Sequence, residues 1–130
     1  MSDSIFTKII NKEISSYIIE EDDDFIAFLD VFPLVKGHTL VVPKKQTDYI
    51  FDVENDDYID LWCFAKKVAK KVENAIDCKR IGVAVIGLEV PHTHIHLVPI
   101  NGVSDINFSL PKLKLTEAEF NEIQAKINKG

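Results

Sequence analysis

One segment limits the architecture more than any other. From about Asn55 to Ala75 the apolar residues Tyr58, Leu61, Trp62, Ala65, Val68, Ala69, Val72 and Ala75, continued by Ile76, recur at i, i+3, i+4 and i+7. That is the spacing of one helical face. Asn55 stands where an N-cap is expected, and Asp56 and Asp57 follow where the helix dipole favours negative charge. Lys66, Lys67, Lys70 and Lys71 fall on the other faces and read as solvated surface. A helix with one apolar stripe must lay it on a partner, and the rest of the chain supplies strands.

Residues 17–21 and 25–31 read as strands around the acidic turn Asp22-Asp23-Asp24. Residues 38–42 form a third, entered after Gly37 and ended by Pro43. Residues 81–86 and 91–99 read as a fourth and a fifth. Ile5, Phe6, Ile9 and Ile10 have helical spacing behind Ser4 or Asp3 as cap. Residues 100–115 are irregular, and a last helix starts at Thr116, whose capping box with Glu119 precedes the stripe Phe120, Ile123, Ile127. Short links between successive strands favour antiparallel pairing. The expected class is α+β: a five-stranded antiparallel sheet with one long helix and shorter N- and C-terminal helices. The 130 residues fit a single domain, with 100–130 as a C-terminal loop and helix extension.

A hydrophobic content of 46% suits a globular protein, and a formal charge of −6 argues against binding a nucleic-acid backbone. Cys63 and Cys78 form no C-x-x-C pair. Cys63 lies within the long helix and reads as a small buried hydrophobe; a disulfide is not expected. No leader or membrane-spanning run is read from the sequence, so a cytoplasmic location is expected.

The chemistry concentrates at Pro91-His92-Thr93-His94-Ile95-His96-Leu97-Val98-Pro99, which holds three of the four histidines. On a strand, alternate residues share a face. His92, His94 and His96 would then line one side, with Thr93, Ile95 and Leu97 towards a core. Three readings are open. The imidazoles could be ordinary polar surface. Two could share a zinc ion, with same-face neighbours about 6.6 Å apart on a strand; a third ligand would then come from elsewhere, and His38 is the other histidine. Or one imidazole could be a nucleophile towards phosphorus, its second nitrogen held as N–H by a fixed acceptor, with a neighbouring imidazole two residues on meeting the same phosphate.

The same stretch resembles the H-φ-H-φ-H-φ-φ signature of the histidine triad (HIT) family, in its bacterial nucleotide-binding branch, with Thr93 in place of an apolar residue. The resemblance extends through Ile5-Phe6-Thr7-Lys8-Ile9-Ile10 with Glu13-Ile14, then Glu21-Asp22-Asp23, Ala27-Phe28-Leu29-Asp30, Pro33, Gly37-His38-Thr39-Leu40-Val41-Val42-Pro43-Lys44-Lys45 and Gly87-x-Glu89-Val90-Pro91. It covers most of residues 5–46 and 81–99.

The resemblance implies a hydrolase or transferase acting on the α-phosphate of a nucleoside phosphoramidate or dinucleotide, without cofactor or metal. His94 would be the nucleophile and carry a nucleotidyl group. His96 would contact the phosphate and help the leaving group depart, and His92 would orient the nucleophile, partly through its carbonyl. Asp30 would bind ribose hydroxyls, Glu89 would face the phosphate pocket, and Phe6, Ile9 and Phe28 would wall the base or serve as core. The implied partners are an AMP- or GMP-like purine nucleotide and a second copy of the chain, with neither nucleic acid nor membrane. The alternative is a non-catalytic nucleotide-binding homodimer with a protein partner. Some members carry zinc-binding cysteines at the positions of Ser4 and Thr7. Gln46, Leu88 and Ile81 stand where many members have histidine, glutamine and asparagine.

Overall fold

The computed structural model describes residues 3–129. In chain order the elements are α1 (Ile5–Ile10), β1 (Ile18–Glu21), β2 (Phe25–Leu29), β3 (Thr39–Pro43), α2 (Asn55–Ala75), β4 (Arg80–Ala84), β5 (Ile95–Ile100) and α3 (Glu117–Lys129). Short 3₁₀ turns lie at Ile50–Asp52 and Val103–Ile106.

The strands form one sheet in the order β1-β2-β3-β5-β4, with every neighbouring pair antiparallel. The α+β expectation holds. The β1–β2 turn is tight because Asp22 Oδ1 accepts the N–H groups of Asp24 and Phe25 at 2.9 and 2.8 Å. After β3 the chain crosses the sheet as α2, returns along the edge as β4, and inserts β5 between β3 and β4.

The pleat divides the buried side chains between two cores. Phe25, Ala27 and Leu29 of β2, Val41 of β3 and Ile95 and Leu97 of β5 point one way. They meet Leu61, Phe64, Ala65, Val68 and Val72 of α2 and Phe120, Ile123 and Ile127 of α3. Each fully buried large aliphatic stabilises by about 1.5–3 kcal/mol. On the opposite face Ile26, Phe28, Leu40 and Val42 are covered by Phe6 and Ile9 of α1. His96, opposite Leu40 in the register, lies between Ile95 and Leu97 and therefore faces the α1 side.

Three sequence expectations are corrected. The N-cap of α2 is Glu54, whose side chain makes no capping bond, and Asn55 is already helical. Cys63 is exposed on α2, because the stripe formed by Leu61, Ala65 and Val68 turns it outwards; neither cysteine is disulfide-bonded. The fifth strand begins at Ile95, so Pro91 to His94 precede it. The Thr116–Glu119 capping box does form: Thr116 N–H donates to Glu119 Oε1 at 3.0 Å, and Glu119 N–H donates to Thr116 Oγ1 at 3.1 Å.

Gly37 turns the chain into β3 with φ +93°, and a Cβ there would sit 2.9 Å from Ile76 Cγ1 and 3.2 Å from Pro99 Cγ. Gly37→Ala is expected to cost about 1–3 kcal/mol. It should lower the urea midpoint with little change in the denaturant slope. An unchanged midpoint would show that the turn relaxes freely. Among the described residues no helix is long and apolar enough to cross a membrane.

Candidate active site

The four histidines gather on the α1 face of the sheet, at the ends of β2 and β3 and the start of β5. His92 and His94 are held there without a strand ladder. The N–H of His92 donates to the Val90 carbonyl at 2.8 Å, and both N–H and Oγ1–H of Thr93 donate to the Thr47 carbonyl at 2.7 Å. The rings still converge, with those of His94 and His96 5.0 Å apart edge to face.

Backbone groups fix which nitrogen carries each proton. Carbonyl oxygens can only accept and amide N–H groups can only donate. His94 Nδ1 lies 2.8 Å from the His92 carbonyl, so it is the N–H, and Nε2 keeps its lone pair. His92 Nε2 lies 2.7 Å from the Pro43 carbonyl and is its N–H, so Nδ1 accepts from Ser4 Oγ–H at 2.7 Å. The His92 ring, fully buried, is thus engaged on both sides and acts through its backbone. His38 Nδ1 accepts the Leu34 N–H at 3.0 Å, which puts the proton on Nε2. That proton is donated to His96 Nδ1, 3.0 Å away. Neutral His96 therefore carries its proton on Nε2. The pair His94 and His96 consequently offers one bare Nε2 and one Nε2–H.

All four rings are held neutral at pH 7. Burial pushes His38 down to about 3, reinforced by the charge of His96 and then of Lys112. Burial likewise takes His96 to about 4, with His94 and Lys112 adding to it. His92 and His94 are also lowered by burial; bonds to the Pro43 and His92 carbonyls oppose this in turn, and the Glu89 carboxylate pulls His94 further upwards. Neutral imidazole is the form that has a lone pair to give.

The structure brings Asp30 beside the nitrogen of His38 that faces His96. Asp30 Oδ1 accepts the Phe32 N–H at 2.8 Å, and Oδ2 lies 3.6 Å from His38 Nε2. Burial raises its pKa, against the Phe32 N–H and Lys112. Glu89 is exposed at the rim, close enough for its charge to be felt by His94. Phe6, Ile9 and Phe28 are all core residues under α1. Phe6 also touches the histidines, with its ring 5.0 Å from that of His94 and 5.9 Å from that of His92.

Two participants escape the sequence reading. His38 orients His96; its sequence signal is Gly37-His38 at a strand entry, which by itself says nothing of a partner 58 residues away. Phe108, from the irregular C-terminal segment, packs its ring 4.7 Å from His96 and 6.1 Å from His38. Leu113 N–H fastens that segment to the Pro33 carbonyl at 2.8 Å. Cavities of about 410 and 240 Å³ lie elsewhere, one beside Lys36 and Glu119, the other beside Lys44 and Asp57.

Asp30, His38 and His96 place one ligand atom each within 4.8 Å of one another, a carboxylate–imidazole set in composition. The hydrogen bonds argue against a metal there. His38 Nε2 must keep its proton while Nδ1 takes the Leu34 N–H, and that proton occupies His96 Nδ1. Nor do Ser4, Thr7 and Gln46, grouped around His92, fit a zinc ion: they offer two neutral hydroxyls and an amide where thiolates or imidazoles are needed.

A sequence model of the HIT domain matches residues 11–102. An uncharacterized HIT-like protein of Borreliella burgdorferi is 37% identical over an alignment that covers 98% of each chain. The adenosine 5′-monophosphoramidase of Saccharomyces cerevisiae is 33% identical over 73% of this chain and 61% of its own. Among solved structures, a HIT-like protein of Bartonella henselae superposes with a TM-score of 0.85 at 31% identity, over 98% of this chain and 95% of that one.

Proposed function

The chain belongs to the HIT family, and from that premise we propose that it is a nucleotidyl hydrolase or transferase that attacks the α-phosphate of a nucleoside phosphoramidate or dinucleotide through His94. The observation that carries this reading is the opposed proton placement on His94 and His96. The bare Nε2 of His94 forms the N–P bond while the bond from phosphorus to the leaving atom breaks and its electron pair departs with that atom. Positive charge then grows on the His94 ring, where the Nδ1–H bond to the His92 carbonyl and the nearby Glu89 carboxylate favour it.

His96 presents Nε2–H to the phosphoryl or leaving-group atom that gathers negative charge. Its Nδ1 is filled by the His38 proton, so His96 acts as a fixed neutral donor and the imidazolium form is disfavoured. Water next breaks the N–P bond. Over the cycle its hydroxyl goes to phosphorus and its proton to the leaving group. Asp30, at the edge of the cluster, suits two ribose hydroxyls, since a carboxylate accepts both. Of the base-wall candidates, Phe6 lies against His94, whereas Ile9 and Phe28 are engaged in packing.

The yeast phosphoramidase supports a nucleoside phosphoramidate as first substrate to try. A second copy of the chain would join at β4, one of the two outer strands of the sheet, where Val83 is exposed.

The test is hydrolysis of adenosine 5′-phosphoramidate in EDTA, followed by phosphorus NMR, with acid-quenched samples digested and weighed. AMP release with a nucleotidyl adduct on the peptide containing His94 is the expected result. Loss of activity in EDTA, or an adduct on another residue, overturns the mechanism. AMP binding without turnover on phosphoramidate or dinucleotide substrates would make the protein a nucleotide-binding module instead.

A further inference from the structure

We propose that Ser4 and Gln46 are positioning residues for the nucleophile, holding through one hydrogen-bonded bridge His92, the residue whose carbonyl orients His94. The proposal rests on His94 being that nucleophile.

The bridge runs from the first turn of α1 to the segment that enters β5. Gln46 Oε1 accepts the N–H of Ser4 at 3.1 Å and the hydroxyl of Thr7 at 3.0 Å, while Gln46 Nε2 donates to the Pro91 carbonyl at 3.1 Å. An amide is suited to this place, because it faces two donors with its oxygen and a carbonyl with its nitrogen. Drawing the Thr7 proton to Gln46 leaves Ser4 to serve His92. The Ser4 hydroxyl has one proton and two acceptors within reach, His92 Nδ1 at 2.7 Å and Thr7 Oγ1 at 3.3 Å. The shorter bond goes to the fully buried ring, whose Nδ1 has, among the described residues, Thr7 Oγ1 as its other neighbour, 3.4 Å away. A buried ring nitrogen left without a donor is costly.

The outcome is that His92 is gripped at both ends. Gln46 holds the carbonyl of the residue before it, Ser4 and Pro43 hold its two ring nitrogens, and its own carbonyl takes the Nδ1–H of His94. With the ring anchored at both nitrogens and the preceding carbonyl held, the His92 backbone is restrained; a rotation of the 91–92 peptide or a shift of His92 as a whole would move that carbonyl and with it the direction of the His94 lone pair. Near-attack geometry is sensitive to displacements of this kind, by up to about 100-fold in rate for about 1 Å.

Ser4 is also the N-cap of α1, accepting the Thr7 N–H at 3.0 Å. A capping role alone would make the same residue matter, so the test separates the two. Ser4→Asp keeps a good N-cap but has no proton to give at neutral pH. Its carboxylate would draw a second proton onto His92 Nδ1. Ser4→Thr keeps both cap and proton. Gln46→Glu keeps shape and acceptor and removes the donor to Pro91.

Full-length variants are compared by melting temperature, by kcat and KM on adenosine 5′-phosphoramidate, and by nitrogen-15 NMR of the histidine rings at pH 7. For Ser4→Asp the expected result is a near-native melting temperature, His92 protonated at both nitrogens, and kcat about 10- to 100-fold lower with KM little changed. Ser4→Thr should restore neutral His92 and kcat, and Gln46→Glu should lower kcat in the same way.

Wild-type kcat in Ser4→Asp and Gln46→Glu overturns the proposal. So does a loss of kcat that tracks melting temperature across all variants, which is what a purely structural cap would give. A His92 ring that stays singly protonated in Ser4→Asp also overturns it. The NMR arm needs no turnover. An inactive wild-type enzyme, or an active His94→Ala, would therefore sink the nucleophile reading while the Ser4–His92 coupling is still read on its own.

Discussion

His94→Ala is expected to lower AMP release from adenosine 5′-phosphoramidate by on the order of 10⁴-fold or more, with AMP still bound. The size follows from what is removed. The neighbouring rings cannot replace the lost lone pair, because both nitrogens of His92 are bonded and the outward nitrogen of His96 carries a proton. The bridge among Ser4, Gln46 and Pro91 does not involve the His94 side chain, so the surrounding backbone should keep its shape. Binding of AMP, measured by calorimetry, should therefore survive. Free imidazole, small enough to enter the space left by the ring, should return part of the activity. Turnover by His94→Ala well above the uncatalysed rate would mean that phosphorus is attacked by something else.

Acidification should destabilise this protein from about pH 6 downwards, where histidines rather than carboxylates take up the protons. An unfolded histidine takes up a proton near pH 6.5, whereas folded His38 and His96 resist it down to about 3 and about 4. A group whose folded value is depressed contributes its full stability above the unfolded value and loses it as pH falls. Between about pH 6 and 4 the unfolded chain binds roughly two more protons at these sites than the folded one. Stability should then fall by about 2.7 kcal/mol per pH unit from this pair alone. His92 and His94, shifted the same way, steepen the decline. Asp30, raised by burial, pulls weakly in the opposite direction at lower pH. Against the usual total of about 5–15 kcal/mol, the accumulated loss is enough to unfold the domain near pH 4. Urea titrations at pH 7, 6, 5 and 4.5 measure this directly. A midpoint that stays level across that range would mean that the rings accept protons in place.

Elements held by repeating side-chain patterns were legible in the sequence, and elements held by single polar contacts were not. The stripe from Tyr58 to Ala75 predicts α2 to its last residue because burial of one face is periodic. The capping box at Thr116 locates the start of α3, being a local pattern of four residues. Alternation misplaced the start of β5, however. Three imidazoles at every second position look like a strand whether their amides join a ladder or, as with Thr93 and the Thr47 carbonyl, a loop. The convergence of His92, His94 and His96 was still anticipated, since an extended backbone aligns alternate side chains with or without a partner strand. His38, Gln46 and Phe108 meet the triad across long stretches of chain, and no local spacing encodes such meetings. Ser4 was readable as a cap; its bond to a ring 88 residues away was not.

The bonds that complete the site and secure the sheet edge tie early residues to late ones. Ser4 must find His92, and the Ile18 carbonyl receives donors from Gln124 and Asn128 of α3, 106 and 110 residues further on. Closing loops of that size costs entropy before any contact rewards it. Hairpins such as β1–β2 and the helix α2 can form early as the chain is being made, but the proton order on the histidines must wait until His96 has been added. Nascent copies that stop short of β5 would therefore display imidazoles without a fixed tautomer. In that sense the order of the protons doubles as a mark of assembly: four rings with fixed tautomers report that the first helix has met the segment before β5 and that β5 has taken its place beside β3.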